Sequence, residues 1–266
     1  MSGTPTIFDR RAVRRHRERA ARMGGVDDLF AELAGRVLDR LDDTTRRFSR
    51  ALDLGGRGMV APALRARGIE VVSADLALGW ARRGGGAALV ADEECLPFAP
   101  GSFDLAVAAF GLHWVNDLPG ALLQLRRALR PGGLFLAGLP VAGTLAGLRA
   151  ALTEAEAEIS GGVAPRFSPL PDLRDAAGLL QRAGFTLPVA DVETLRLLYA
   201  NPFVLLRELR AGGEGNALVA RERRVPPRAL FPAALARLPQ QEGRCEATLE
   251  IAVLTGWAPD AESVGT

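Results

Sequence analysis

Through the middle of the chain, short apolar runs alternate with stretches whose apolar positions fall at helical intervals. Residues 51–54, 69–74, 87–91, 103–109 and 134–138 are runs of strand length, and residues 60–67, 76–83 and 118–129 between them read as helices. Strands that appear as near-continuous apolar runs are covered on both faces, and a helix between successive strands returns the chain to the same end of the sheet. The pattern predicts an α/β fold with parallel strands and helices on both faces. Ahead of it, Leu29, Phe30, Leu33, Val37, Leu38 and Leu41 recur at i, i+3 and i+4, which predicts an amphipathic helix over 26–41 packed across the sheet. Pro131-Gly132-Gly133 cannot continue a helix and ends the last crossover.

Beyond the central run, residues 145–159 predict a helix rich in Ala and Glu, with Glu154, Glu156 and Glu158 forming a solvated face. A loop over 161–166 follows, then a helix capped by Asp172 that ends near Arg182, with Gly184 as its stop signal. Residues 189–199 and 247–254 read as strands around a helical insertion at 203–210 and a Pro-rich region at 226–239. With no internal repeat and no low-complexity linker, one decorated domain is expected. Its parts are a helical extension over 1–48 and a Rossmann-like domain over 49–266 with a helical insertion near 200–240.

Composition narrows the possibilities. The chain has 266 residues, 48% of them apolar, enough for one substantial core. Arg, Asp, Glu or Pro interrupts every apolar run before it reaches the roughly 20 residues that span a bilayer, so no transmembrane segment is expected. Cys95 and Cys245 lie far apart, without the spacing of a zinc site or a disulfide framework, which predicts a reducing, cytoplasmic setting. All 33 basic residues are Arg, and the net charge of +2 is too even to argue for nucleic acid. The exception is the cluster Arg10, Arg11, Arg14, Arg15, Arg17, Arg19 and Arg22, which reads as a solvated helix, a partner-facing helix or a targeting segment.

Three strand ends carry acids. Asp53 closes the first strand before Gly55-Gly56-Arg57-Gly58, where glycines let a backbone approach a ligand closely. Asp75 follows the second strand, where an acid accepts hydrogen bonds from ribose hydroxyls, and Asp92, with Glu93 beside it, follows the third. In an open α/β sheet these positions converge on one crevice. Phe110 closes the fourth strand and completes the expected cofactor-binding set. A dinucleotide is the competing ligand, but an acid immediately before the glycine turn is a poor neighbour for pyrophosphate. A sulfonium and an ammonium suit it better. His113, one of two histidines, lies just past the fourth strand and is the candidate catalytic residue, able to orient or deprotonate a substrate; the alternative is that His113 and Trp114 only roof the pocket. Arg166 either clamps a substrate carboxylate or orders its own loop. No His, Asp and Glu set has metal-site spacing, so no metal is expected.

Asp53-Leu54-Gly55-Gly56, Ala74-Asp75, Ala91-Asp92 with Leu96-Pro97-Phe98, Ser102-Phe103-Asp104-Leu105 and Leu129-Arg130-Pro131-Gly132-Gly133 resemble the successive motifs of the class I S-adenosylmethionine (SAM)-dependent methyltransferases. The resemblance implies SAM as cofactor, methyl transfer and a Rossmann-like sheet. Arg57 departs from it, standing where the usual turn has its second spaced glycine. An inward guanidinium there would oppose the sulfonium of SAM, whereas pairing with an acid such as Asp53 would leave affinity unchanged or lower.

A narrower resemblance covers nearly the whole chain. Ile7-Phe8-Asp9-Arg10, Leu112-His113-Trp114-Val115-Asn116-Asp117-Leu118-Pro119, Gly161-Gly162-Val163-Ala164-Pro165-Arg166, Leu179-Leu180-Gln181-Arg182-Ala183-Gly184-Phe185 and Asn216-Ala217-Leu218 are similar to the family of the mitochondrial complex I assembly factor five and its bacterial relatives. That resemblance implies a protein substrate, a complex I matrix-arm subunit, and arginine hydroxylation or methylation during complex I assembly. More loosely, the malonyl-carrier-protein methyltransferases are similar, implying carboxyl O-methylation of an acyl-carrier-protein substrate. An assembly chaperone without catalysis is the third expectation.

Overall fold

The computed structural model describes residues 5–260. Its centre is one eight-stranded sheet. The strands are β1 (Arg50–Leu54), β2 (Glu70–Asp75), β3 (Ala87–Val90), β4 (Phe103–Ala108), β5 (Leu129–Pro140), β6 (Thr186–Tyr199), β7 (Gln240–Gln241) and β8 (Arg244–Trp257). Their order is β3-β2-β1-β4-β5-β8-β6, with β7 paired to β8. The first five are parallel, as the alternating pattern predicts. β8 runs antiparallel between β5 and β6. An antiparallel partner needs no helical crossover, and the chain reaches β8 through the insertion instead.

Helices α3 (Val60–Ala66), α4 (Leu78–Arg83) and α5 (Leu118–Ala128) connect the parallel strands, and α7 (Leu173–Arg182) leads into β6. Alternation along the strands sends side chains to both faces. Leu52, Leu54, Ala106 and Ala108 join Leu122, Leu125 and Leu180 of α5 and α7 on one side. Ala51, Leu105 and Val107 join Phe30, Leu33 and Val37 of α2 (Asp27–Leu38), together with Leu64 of α3, on the other. Truncating the fully buried Phe135 to Ala would cost about 3–5 kcal/mol. Asp117 starts α5 by accepting from the N–H of Gly120 at 2.9 Å, with Pro119 in the first turn. Asp172 precedes α7 as expected, but its side chain makes no capping bond.

Over the carboxyl ends of β4 and β5 sits a second layer: α6 (Ala146–Ser160), α8 (Phe203–Ala211) and α9 (Leu230–Leu235), joined through Leu148, Leu152, Leu205, Leu230 and Leu235. One expectation about a charged face changes here, and one of the two readings of Arg166 is met. Glu156 of α6 is buried rather than solvated, and the Nε–H of Arg166 donates to its Oε2 at 2.9 Å. Arg166 thus orders its own loop and is not free to clamp a substrate carboxylate.

The arginine-rich segment forms α1 (Arg10–Met23), capped by Asp9, whose Oδ1 accepts from the N–H of Ala12 at 3.0 Å. It is not a uniformly solvated helix. Arg11, Arg14, Arg15 and Arg22 are exposed, but Val13, Arg17 and Ala20 share a buried face. Among the described residues, no helix is long and apolar enough to cross a membrane.

Candidate functional site

The turn after β1 folds around its own carboxylate. Asp53 Oδ1 accepts from the N–H of Gly56 at 3.0 Å, and the Ser73 hydroxyl donates to Oδ2 at 3.3 Å. A Cβ on Gly56 would come within 2.1 Å of Asp53 Oδ1, so only glycine lets the turn close this tightly. Burial pushes Asp53 up to about 7 despite these bonds. Asp53 therefore holds the turn from beneath, instead of projecting toward a ligand's ammonium. Gly55 and Gly58 both have positive φ, +70° and +85°.

Asp75 ends β2 fully buried. Its Oδ1 accepts from the N–H of Ala77 at 2.8 Å, while Oδ2 is buried with no hydrogen-bond partner. Burial raises its pKa, against the opposing pull of Arg17. Glu93 lies across from it, also fully buried. Arg17 Nη1 donates to Glu93 Oε1 at 2.6 Å and stands 3.5 Å from Asp75 Oδ1, and Arg17 Nη2 donates to the carbonyl of Gly111 at 3.2 Å. Arg10 adds contacts to Glu93 and Asp92. Burial alone would raise Glu93, but Arg17 and Arg10 hold it below the usual carboxylate range. Asp92 is only half-buried and accepts from the N–H of Glu94 at 3.0 Å.

Arg57 points inward. Its side chain is fully buried on a left-handed backbone, φ +51°, and donates to the carbonyls of Gly212 and of Phe110, the latter at 2.9 Å. Its partner acid is Glu214 at 2.7 Å, not Asp53, and its guanidinium lies over the Phe30 ring at 4.6 Å. Glu214 is the central acceptor of the site. Its Oε2 also takes the indole N–H of Trp114 at 2.9 Å and lies 2.8 Å from His113 Nε2. A carboxylate only accepts, so His113 carries its proton on Nε2, and its buried Nδ1 has no partner. Burial would raise Glu214, yet His113 and Arg57 hold it well below the usual range.

Beside this network opens a cavity of about 520 Å3 over the ends of β4 and β5. Phe110, Gly138 and His113 line it from below, Phe30 and Leu33 of α2 and Leu148 of α6 from the sides, and Leu205 and Leu209 of α8 from above. Glu208, which accepts from the Tyr199 hydroxyl at 2.6 Å, and Glu214 also face it. Asp53, Gly55, Gly56, Asp75, Asp92 and Glu93 do not. The structure thus separates the expected residues: His113 and Phe110 line the cavity, while Asp75, Asp92 and Glu93 lie outside it, against Arg17 and Arg10. Glu214 was missed in the sequence because the segment Gly212-Gly213-Glu214-Gly215 has no periodicity and lies 101 residues from His113. Arg17 had a signal: it falls on the Val13 and Ala20 face of its helix. Among the described residues, no group of three His, Cys, Asp or Glu side chains could hold a metal ion.

Residues 52–137 match the family model described as methyltransferase domain. Over 96% of this chain and 77% of the relative, it is 36% identical to the arginine-hydroxylase NDUFAF5, mitochondrial, of Homo sapiens. It is 33% identical to the malonyl-[acyl-carrier protein] O-methyltransferase of Methylovorus sp. (strain MP688), over 98% of this chain and 93% of that one. The chain belongs to the class I SAM-dependent methyltransferase family. Its fold agrees with the YcgJ protein from Bacillus subtilis, at a TM-score of 0.59 and 14% identity, covering 86% of this chain and 99% of that one.

The family is one of transferase enzymes, and its cofactor is S-adenosyl-L-methionine. The residues here fit that molecule in kind. Asp75 Oδ2 is a buried acceptor awaiting a donor, and a Cβ on Gly55 would stand 3.8 Å from it and 3.5 Å from the N–H of Gly111, in ordinary contact with both. Asp75 would hold the ribose, the Gly55-Gly56 turn would pass beneath the methionine part, and Asp92 would lie on the side of the base.

Proposed function

We propose that this chain is a SAM-dependent enzyme that modifies a side chain of a partner protein, an arginine on a complex I matrix-arm subunit, presented in the cavity above β4 and β5. The observation that carries this reading is that the cavity wall already holds a guanidinium: the Glu214 carboxylate, the carbonyls of Phe110 and Gly212 and the Phe30 face surround Arg57. Apolar walls suit the aliphatic stem of an arginine, and carboxylates with aromatic faces suit its head. The name of the NDUFAF5 relatives points to the same residue type.

His113 is the base in this reading. Glu214 fixes the proton on Nε2 and leaves Nδ1 as the basic position of the ring, which must turn from its buried orientation toward the cavity to meet the substrate nitrogen. When bound, SAM would supply an electrophilic methyl group for the substrate nitrogen. Free thiols at Cys95 and Cys245 accord with a reducing, cytoplasmic setting. Intact-mass measurement of complex I subunits from cells with and without this protein tests the proposal. A methyl-sized or an oxygen-sized difference on one subunit separates methylation from the hydroxylation in the relatives' name. Unchanged masses with lost complex I activity would replace the enzyme reading with a chaperone.

A second reading has its own observation. Arg19, Arg149 and Arg210 line the same cavity, and none has a carboxylate partner among the described residues. Burial lowers the pKa of Arg19, and the nearby Arg210 lowers it further. Such a wall suits an anionic acceptor, as in carboxyl O-methylation of an acyl group on a carrier protein, the reaction in the name of the Methylovorus relative. Transfer of labelled methyl from SAM to malonyl-carrier protein, with complex I masses unchanged, would favour it.

A further inference from the structure

In this structure the three elements that converge on the cofactor cradle are held by the chain's own guanidinium. Arg17 reaches Asp75 at the end of β2, Glu93 after β3 and the Gly111 carbonyl after β4. Its side chain is fully buried. The approach between β3 and β4 is tight: a Cβ on Gly111 would stand 2.6 Å from Glu93 Oε1 and 3.2 Å from Arg17 Nη2. Yet Arg17 satisfies Asp75 only partly. It stands 3.5 Å from Oδ1 and leaves Oδ2 without a partner. A ribose offers two hydroxyl donors to the same carboxylate, and an uncharged donor pair would not need a desolvated cation.

Helix α1, which carries Arg17, is attached so that it can move as a unit. It ends at Gly24-Gly25, both with positive φ, +63° and +90°, and no atom lies within 4 Å of a Cβ placed on either. Two unhindered glycines between α1 and α2 form a joint that α2, packed on the sheet, does not share. At its other end α1 is held by the Arg221 guanidinium on Asp9 and by Arg10 on the Trp114 carbonyl, each at 2.8 Å, and by the small side chains of Ala12 and Val13 packed with Phe8, Trp114 and Leu218. The inner face meets α4 through small residues, Ala21 against Gly79.

We propose that Arg17 is a built-in competitor for the ribose site of SAM, and that α1 is a latch that must lift Arg17 from Asp75 before the cofactor enters. The inference goes beyond the proposed function and rests only on the family's cofactor. Calorimetric titration with S-adenosylhomocysteine, comparing wild type with Arg17→Gln, reads the competition directly, and the expected result is at least tenfold tighter binding by the variant. Hydrogen exchange on the wild-type protein reads the latch without any substitution: amides of residues 10–23 should exchange faster when S-adenosylhomocysteine is bound. Equal or weaker binding by a folded Arg17→Gln, or α1 amides equally or better protected with ligand, overturns the latch while leaving the cofactor assignment standing. Absence of binding by both proteins overturns the two together. If Arg17→Gln does not fold, the exchange measurement on wild type decides.

Discussion

Replacing Arg57 tests how the inner network is held. Arg57→Met keeps the stem and the left-handed backbone but removes a guanidinium that serves Glu214 and two carbonyls. Removing one partner of a buried pair costs about 3–5 kcal/mol. Here the Glu214 side chain is 24% exposed and keeps His113 and Trp114, so water and those donors reduce the loss to about 2 kcal/mol. For a chain of this size that is a fall in Tm of about 4–8 °C. Arg57→Gly should recover about 1 kcal/mol of it, because glycine relieves the φ of +51°. A double-mutant cycle of Arg57→Met and Glu214→Gln, followed by urea unfolding, should give a coupling of at least about 1 kcal/mol. A coupling near zero would refute the pairing. The sequence alone suggested that an inward Arg57 opposes the sulfonium of SAM. Because Glu214 offsets its charge, Arg57→Gly should instead change the affinities for SAM and S-adenosylhomocysteine by the same factor, and a selective gain for SAM would refute that reasoning.

Asp75→Ala should weaken S-adenosylhomocysteine binding by about 1.5–3 kcal/mol in calorimetry, through loss of charge-assisted bonds to the ribose; an unchanged affinity would remove Asp75 from the cradle. Glu214→Gln should lower turnover on the true substrate by about 10²-fold or more with little change in KM, since it frees the His113 ring while leaving the apolar walls intact; a pure KM effect would argue for binding alone. The Asp53 pKa of about 7 lies above its unfolded value of 3.8, so the native state holds the extra proton between them. Its contribution to stability is full below the unfolded value and is lost as pH rises through about 7. Asp53→Asn should therefore gain stability relative to wild type as pH rises across that window, by at least about 1 kcal/mol in urea midpoints; a constant difference would contradict the assignment.

The central sheet was legible because each parallel strand is buried on both faces and appears as an apolar run, and because Asp53, Gly55 and Asp75 sit at the strand-to-helix joints that punctuate those runs. What eluded the sequence was pairing across long separations. Glu214 meets His113 and Arg57 only because the segment after α8 folds back over the strand ends, and nothing local in a glycine-rich stretch marks such a return. Glu156 was grouped with Glu154 and Glu158 by composition, although it stands four and eight residues from Leu152 and Leu148, on the buried side of α6 where Arg166 pairs with it. Arg17 was hidden among arginines by composition, although its helical phase with Val13 and Ala20 separates it from Arg14 and Arg15. The direction of β8 left no trace in its apolar pattern, since period two is the same in either orientation.

The place of β8 between β5 and β6 also orders events during synthesis. β6 ends at Tyr199 and β8 begins at Arg244, so the ribosome makes one flank of the gap well before the strand that fills it. At about 5–20 residues per second, that interval lasts a few seconds. Until then the open edge of β5 and the whole of β6 lack their neighbour, and a nascent chain holds two unpaired strand edges that only its own later segment is shaped to join.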